Sequence, residues 1–405
     1  MNFFKDLREE NIGGVAYKNF ELKKRIIGYF ATVGNATIPD LAKEINLSVP
    51  KVTTLLNELT SEGLARDYGK LDSTGGRRPS LYGLESESGF FLGVEVKRTH
   101  INIGLLDFKE NLLKFIEKVP YQLKNTQESL DQLCDIINTT INGLPVPKMK
   151  ILGLGLNLTG RVNNATGYSY SFFHFHEEPL SRIIETAVGI KTYIENDSRA
   201  MAYGEFSSDV VSEEKNVLFI NFDQGIGLGI LIDGQLYYGK SGYAGEFGHI
   251  PIFENDTLCH CGKKGCLETE ASGHALVTRF RQKVAEGLSS SILSKVAAPE
   301  EITLEHIIEA ALNDDTLAIE LIGETSEKLG RGIALLINLY NPELIIIGGA
   351  LAATGDYVIL PMKSSIKKYS LSILNNDTRL KLSRLKEKAG VIGACLLVRN
   401  RIISI

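Results

Sequence analysis

The sequence contains no apolar run long enough to cross a bilayer, and its first residues, Met1 to Glu10, lack the continuous apolar core of a signal peptide. A cytoplasmic location with no membrane partner is expected. Cysteine is scarce, five in 405 residues, which excludes a disulfide-built scaffold and gives no sign of an oxidising compartment. A strong charge of either sign is also missing. The formal net charge of −5 argues against a chain coated in nucleic acid, although it leaves room for one small DNA-reading domain because charge is distributed along the chain. Hydrophobic residues make up 43% and charged residues 23%, ordinary globular values, and the length allows two or three domains with sizeable cores.

The few cysteines are not scattered. Cys259, Cys261 and Cys266 lie in the stretch Gly245 to Glu270, with His249 just upstream. Three thiolates and one imidazole suit a closed tetrahedral zinc site, and four protein ligands leave no open position for water, so the metal would be structural. Gly262 and Gly265 would permit the tight turn between the second and third thiolates. The alternatives are a disulfide or buried thiols. The compact C-x-C-x4-C spacing and the available fourth ligand favour zinc. His260 ranks second to His249 as ligand, since an imidazole between two ligating cysteines usually points away from the metal. Cys134 and Cys395 fall on apolar helical faces, where an inert core thiol is expected.

The N-terminal segment carries helical periodicity. Leu22, Ile26, Ile27, Phe30 and Val33 share one face of a helix over residues 21–33; Ile38, Leu41, Ala42 and Ile45 mark a second helix; a third runs from a Ser48 cap to Gly63, with Val52, Leu55, Leu56 and Leu59 inward. Its other face presents Pro50, Lys51, Thr53, Thr54 and Asn57, small or polar groups suited to a major groove. Two strands, residues 64–71 and 80–84, then flank the loop Asp72 to Pro79, whose Arg77 and Arg78 could hold phosphates or enter a minor groove. Helices followed by such a hairpin predict a winged helix-turn-helix. The plainer alternative is a helical bundle with a charged surface loop.

From Phe90 the pattern becomes strand, strand, strand, helix, strand, helix, strand, and from Asn216 it restarts with another strand meander. This predicts a duplicated α/β body with a cleft between two lobes. The expected domains are residues 1–86; residues 87–196 with a returning helix in 388–405; and residues 197–387.

Several motifs align at this point. Gly245-Glu246-Phe-Gly-His249, Cys259-His-Cys261-Gly-Lys-Lys-Gly-Cys266-Leu-Glu268 and Glu195-Asn196-Asp197 closely resemble signatures of the ROK family of repressors and sugar kinases, and the winged helix resembles that of the family's repressors. The resemblance implies an actin-like (ribonuclease H-like) two-lobed sugar-binding body, in which Asn196, Asp197, Glu246, His249 and Glu268 bind sugar hydroxyls. Amides, carboxylates and imidazoles have the directional hydrogen bonding that a polyol requires. The plainer reading of Asp197 is an N-cap of the helix over residues 198–206, which it could be at the same time, and that of Glu246 and Glu268 is a solvated charge.

The resemblance weakens at the nucleotide site. The family's first phosphate motif is similar to Asp-x-Gly-Gly-Thr, where this chain has Glu95-Val-Lys97-Arg98-Thr99, and two long side chains replace the glycines that admit phosphate. Gly225-Ile-Gly227-Leu-Gly229 and Gly348-Gly349 fit either a nucleotide contact or tight turns. A sugar-responsive repressor is therefore expected, with operator DNA and a sugar or sugar phosphate as partners, structural zinc, no ATP or magnesium, and at least a homodimer. The alternative is a DNA-binding sugar kinase with Asp197 as general base and Glu95 aiding magnesium. A regulator answering to a protein partner is a third reading, with the aromatic run Tyr170 to His176 as a docking surface, although core packing or a pocket lid is the plainer use of that run.

Overall fold

The computed structural model describes residues 3, 14–70, 79–208 and 210–403. Arg77 and Arg78 lie outside them. The chain separates into two compact units, one of Met1–Leu158, Thr166–Glu195 and Ala394–Ile405, the other of Thr159–Ala165 and Asn196–Gly393.

The first unit opens with α1 (Gly14–Thr32), β1 (Ala36–Thr37), α2 (Ile38–Glu44), α3 (Val49–Ser61), β2 (Ala65–Lys70) and β3 (Ser80–Leu84). Phe20, Ile26, Ile27 and Phe30 form the buried stripe of α1. Val33, expected on that stripe, is instead exposed, because the helix stops at Thr32 and Gly34 takes a positive φ of 96°. Thr37 opens α2 through a capping box with Asp40, satisfying two backbone donors that a helix start leaves orphaned. Ser48 stands at the start of α3 as expected, but its hydroxyl makes no capping bond. Val52, Leu55, Leu56 and Leu59 are buried on α3. The strand order β1-β3-β2 makes a small antiparallel sheet beside these helices. This is a winged helix-turn-helix.

Charge fixes the helices as well. Lys23 on α1 is buried and pairs with Glu58 at 3.0 Å and Glu62 at 2.7 Å on α3. Burial alone would depress its pKa; the hydrogen bonds it donates to Glu62 and Glu58 outweigh that and raise it. The hairpin is tied to the body by Lys109, whose Nζ donates to Tyr68 Oη at 2.6 Å, while Tyr68 donates to the Leu84 carbonyl.

The rest of this unit holds β4 (Phe90–Val96), β5 (His100–Asp107), β6 (Leu112–Pro120), α4 (Gln127–Asn142), β7 (Ile151–Leu158), α5 (Leu180–Val188) and β8 (Thr192–Asn196). Its sheet runs β8-β7-β4-β5-β6, with β4 antiparallel to β5 and parallel to β7. The second unit repeats the plan with α6 (Asp197–Phe206), β9 (Val217–Phe222), β10 (Ile226–Ile232), β11 (Gln235–Leu236), α7 (Glu268–Ala271), α8 (Gly273–Ala285), α9 (Leu304–Leu312), α10 (Thr316–Tyr340), β12 (Leu344–Gly348), α11 (Asp356–Tyr369) and β13 (Arg379–Leu382). Its sheet runs β11-β10-β9-β12-β13. Each sheet is thus a three-strand meander extended from its first strand by two later strands, the same order twice over. That is the duplicated, actin-like α/β body.

The last helix, α12 (Ala389–Ile403), carries Cys395. This thiol is fully buried and donates to the Phe91 carbonyl at 3.3 Å. Burial raises the pKa of Cys395, and pushes that of Cys134 up to about 11, so both are inert at neutral pH. Among the described residues no helix is long and apolar enough to cross a membrane.

Candidate metal centre and ligand site

Gly245 begins the site. Its φ is +93°, and a Cβ there would lie 2.4 Å from the Leu228 carbonyl oxygen, so only glycine lets the chain turn this close to β10. Glu246 follows at once, exposed, and a short 3-10 turn over Phe247–His249 directs the imidazole back toward the cysteine loop. There His249, Cys259, Cys261 and Cys266 converge, each offering one ligand atom, all within 4.8 Å of one another. Gly262 and Gly265 do take positive φ, 82° and 75°.

The spacings suit a tetrahedral ion. Bonds of ~2.3 Å to sulfur and ~2.0 Å to nitrogen put sulfurs about 3.8 Å apart and sulfur and nitrogen about 3.5 Å apart. Cys261 Sγ and Cys266 Sγ are 3.6 Å apart, and Cys259 Sγ is 3.6 Å from His249 Nδ1. A disulfide would need ~2.05 Å. Burial pushes the Cys266 thiol up to about 12, reinforced by the neighbouring thiols, and burial also raises Cys259. For Cys261 burial acts upward too, but hydrogen bonds from the Lys263 backbone and the other thiols prevail and lower it. Three thiols held this close would ionise together only with a cation to offset their charge.

With Nδ1 turned toward the sulfurs, the other ring nitrogen of His249 lies 3.8 Å from Glu246 Oε2. Glu268 gathers with His249 and His260, one ligand atom of each lying within 4.8 Å of the others. Its Oε2 accepts from the Ile226 backbone N–H at 2.9 Å, and its Oε1 lies 3.1 Å from His260 Nδ1. His260 therefore faces the carboxylate, although its Nδ1 is also 3.9 Å from Cys259 Sγ.

Asn196 and Asp197 stand at the start of α6, whose Ser198 lies against Gly227 of β10. The helix cap is Asn196, whose Oδ1 accepts from the Arg199 backbone N–H at 3.1 Å. Asp197, expected to be the cap, is the first helical residue, and its Oδ1 accepts from the Ser198 backbone N–H at 2.7 Å. The correction follows from chain geometry: the extended residue before a helix is Asn196, and the cap must be extended.

The ROK family profile matches residues 91–401. The chain belongs to the ROK family. It is 31% identical over 361 residues to a putative xylose repressor of Caldicellulosiruptor sp. (strain Rt8B.4), covering 88% of this chain and 90% of that protein. It is 32% identical over 321 residues to a glucokinase of Streptomyces coelicolor, covering 77% of this chain and 98% of the kinase. Among solved structures, a ROK family transcriptional regulator described as a homolog of the E. coli MLC protein superimposes with a TM-score of 0.79 at 26% identity, over 95% of this chain and 97% of that one. A ROK glucokinase from Streptomyces griseus, solved with glucose and AMPPNP, gives 0.68 at 29% identity over 76% of this chain and 99% of that one.

Within this ROK chain the glycines of residues 225–229 have a packing reason. A Cβ on Gly225 would meet Glu268 Oε2 at 2.8 Å, one on Gly227 would meet Ser198 Oγ at 1.9 Å, and one on Gly229 would meet Ala202 Cβ at 2.2 Å. They make room for Glu268 and let α6 lie on β10. Gly348 and Gly349 likewise pass close to Phe219 and Phe222. Glu95 is buried and accepts from Asn102 Nδ2 at 2.8 Å, and Lys97 and Arg98 sit in the β4–β5 turn.

On α3, Pro50, Thr54 and Asn57 are exposed, whereas Lys51 and Thr53 are half-buried. Lys51 Nζ donates to Asn19 Oδ1 on α1 at 2.7 Å, and the Thr53 and Thr54 hydroxyls donate to carbonyls one turn back. Sequence reasoning missed Arg199. Buried on α6, it donates to the Gly242 carbonyl at 2.7 Å and the Val162 carbonyl at 3.0 Å, anchoring the segment that leads into Glu246. Glu270 was missed too; it holds Asn255, Arg279 and Lys328. Its only sequence signal was a carboxylate two residues past Glu268.

Proposed function

We propose that this chain is a sugar-responsive transcriptional repressor, acting in the cytoplasm. Residues 1–86 read operator DNA, with Pro50, Lys51, Thr53, Thr54, Asn57, Arg77 and Arg78 at the interface, and the α/β body binds the effector through Asn196, Asp197, Glu246, His249 and Glu268. The observation that carries this is the presence of a winged helix-turn-helix on the same chain as carboxylates and an imidazole gathered round a His/Cys3 cluster. Zinc bound by His249 Nδ1 and the three thiols would supply charge compensation and a fixed loop, with no open position for chemistry. Glu246 and Glu268 accept from sugar hydroxyls, and the outer nitrogen of His249 joins them.

Three carboxylates at one site favour an uncharged sugar over a sugar phosphate, since like charges brought together are costly. The names of the repressor relatives make xylose the first sugar to try. Operator half-sites imply a homodimer or larger assembly. The long side chains at Lys97 and Arg98, and a packing reason for each glycine of 225–229, support a role without phosphoryl transfer. The test is operator binding measured with and without xylose, glucose and N-acetylglucosamine, alongside a coupled ATP-consumption assay. One sugar should weaken operator binding at least about tenfold, equivalent to ~1.4 kcal/mol; steady ATP turnover would instead make the chain a kinase.

A further inference from the structure

His260 sits between two of the cysteines with no role yet assigned to it, and its surroundings are specific. Its ring meets that of His249 edge-on, centroids 5.0 Å apart at 74°. Its Nδ1 lies 3.1 Å from Glu268 Oε1, with side chains 68% and 15% exposed respectively. The other Glu268 oxygen is fixed by the Ile226 N–H and flanked by Gly225 and Gly248, at 2.8 and 3.1 Å from where their Cβ atoms would stand. Glu268 Oε2 thus has a backbone donor, and a ring nitrogen of His260 stands within reach of Oε1.

We infer that His260 is a positioning residue of the effector site: its Nδ1–H holds the Glu268 carboxylate in the orientation that receives a sugar hydroxyl. This rests on the sugar-binding reading above. Three considerations lead to it. A polar contact so open to water adds little stability, so it has slight structural value. The His/Cys3 set is complete without His260, whose nearer polar neighbour is the carboxylate at 3.1 Å rather than Cys259 Sγ at 3.9 Å. The backbone on either side of His260 is pinned by Cys259 and Cys261, so a ring that would otherwise wander is held in place. A glutamate loses much side-chain freedom when it binds, and a donor that orients it beforehand removes that cost from the binding step.

In the neutral ring, donation from Nδ1 leaves Nε2 as an acceptor. An acceptor beside a carboxylate suits a ligand rich in hydroxyl donors, which again points to an uncharged polyol.

The experiment uses the full-length chain and whichever of xylose, glucose and N-acetylglucosamine gives the largest thermal shift. His260→Ala should weaken that sugar about tenfold by calorimetry, while zinc content and sugar-free operator affinity stay at wild-type values. His260→Asn, whose amide can donate from nearly the position of Nδ1, should restore affinity to within about threefold. A general loss of structure would not be repaired this way. Wild-type sugar affinity in the alanine variant would overturn the inference. So would loss of zinc, which would make His260 a metal ligand. If the wild-type chain binds none of the three sugars, the sugar-binding reading fails and the role of His260 falls with it, an outcome distinct from failure in the variant alone.

Discussion

Cys266 shows how one side chain serves two ends. Its sulfur is fully buried, 3.6 Å from Cys261 Sγ and 3.6 Å from the His249 carbonyl oxygen, and two residues later the chain presents Glu268. Cys266→Ser is expected to abolish zinc binding by metal analysis and to weaken sugar binding at least about tenfold, while circular dichroism still reports a folded body. Full zinc occupancy in that variant would reject the ligand set. The cluster itself was legible in the sequence because its members are close along the chain, and chain proximity limits how far ligands can separate. The cap of α6 falls on Asn196, one residue before Asp197. Which of two adjacent polar residues caps a helix depends on which is extended, and that depends on how β8 ends. Arg199 could not be found from sequence, because its partners Gly242 and Val162 are backbone carbonyls without a residue signature.

At the scale of elements, the contact of α6 with β10 organises the ligand site. Ser198 and Ala202 lie directly over Gly227 and Gly229, and one end of this contact carries Asp197 and Glu268. Gly229→Ala would force a methyl against Ala202 Cβ and the Ser198 carbonyl. The expected cost is about 1–3 kcal/mol, read as a lowered Tm, with a loss of sugar affinity because α6 must shift. An unchanged Tm would show that the helix is not in such close contact. The glycine pattern was visible in sequence, yet either a phosphate or a helix can require a missing Cβ. Only the position of α6 decides between them. The small strand β1 was not anticipated, since two residues carry no period.

At the scale of the whole molecule, function depends on coupling between operator and sugar. If the sugar weakens operator binding by a given factor, the operator must weaken sugar binding by the same factor, because the two share one thermodynamic cycle. The wing should contribute mainly charge. Replacing Arg77 and Arg78 together with Ala is expected to weaken operator binding and lower the slope of its salt dependence by about two, leaving sugar affinity intact; an unchanged slope would remove the arginines from the interface. The family, the winged helix-turn-helix, the duplicated α/β plan and the ligand candidates were readable from the chain alone, because each is encoded in local periodicity or in residues near one another along it. Tertiary structure alone decided that Ile226, His260 and two glycines surround Glu268, that Lys51 leans on Asn19, and that the glycines of β10 receive a helix. These depend on where distant backbone segments meet, and packing settles that at a distance no local pattern records.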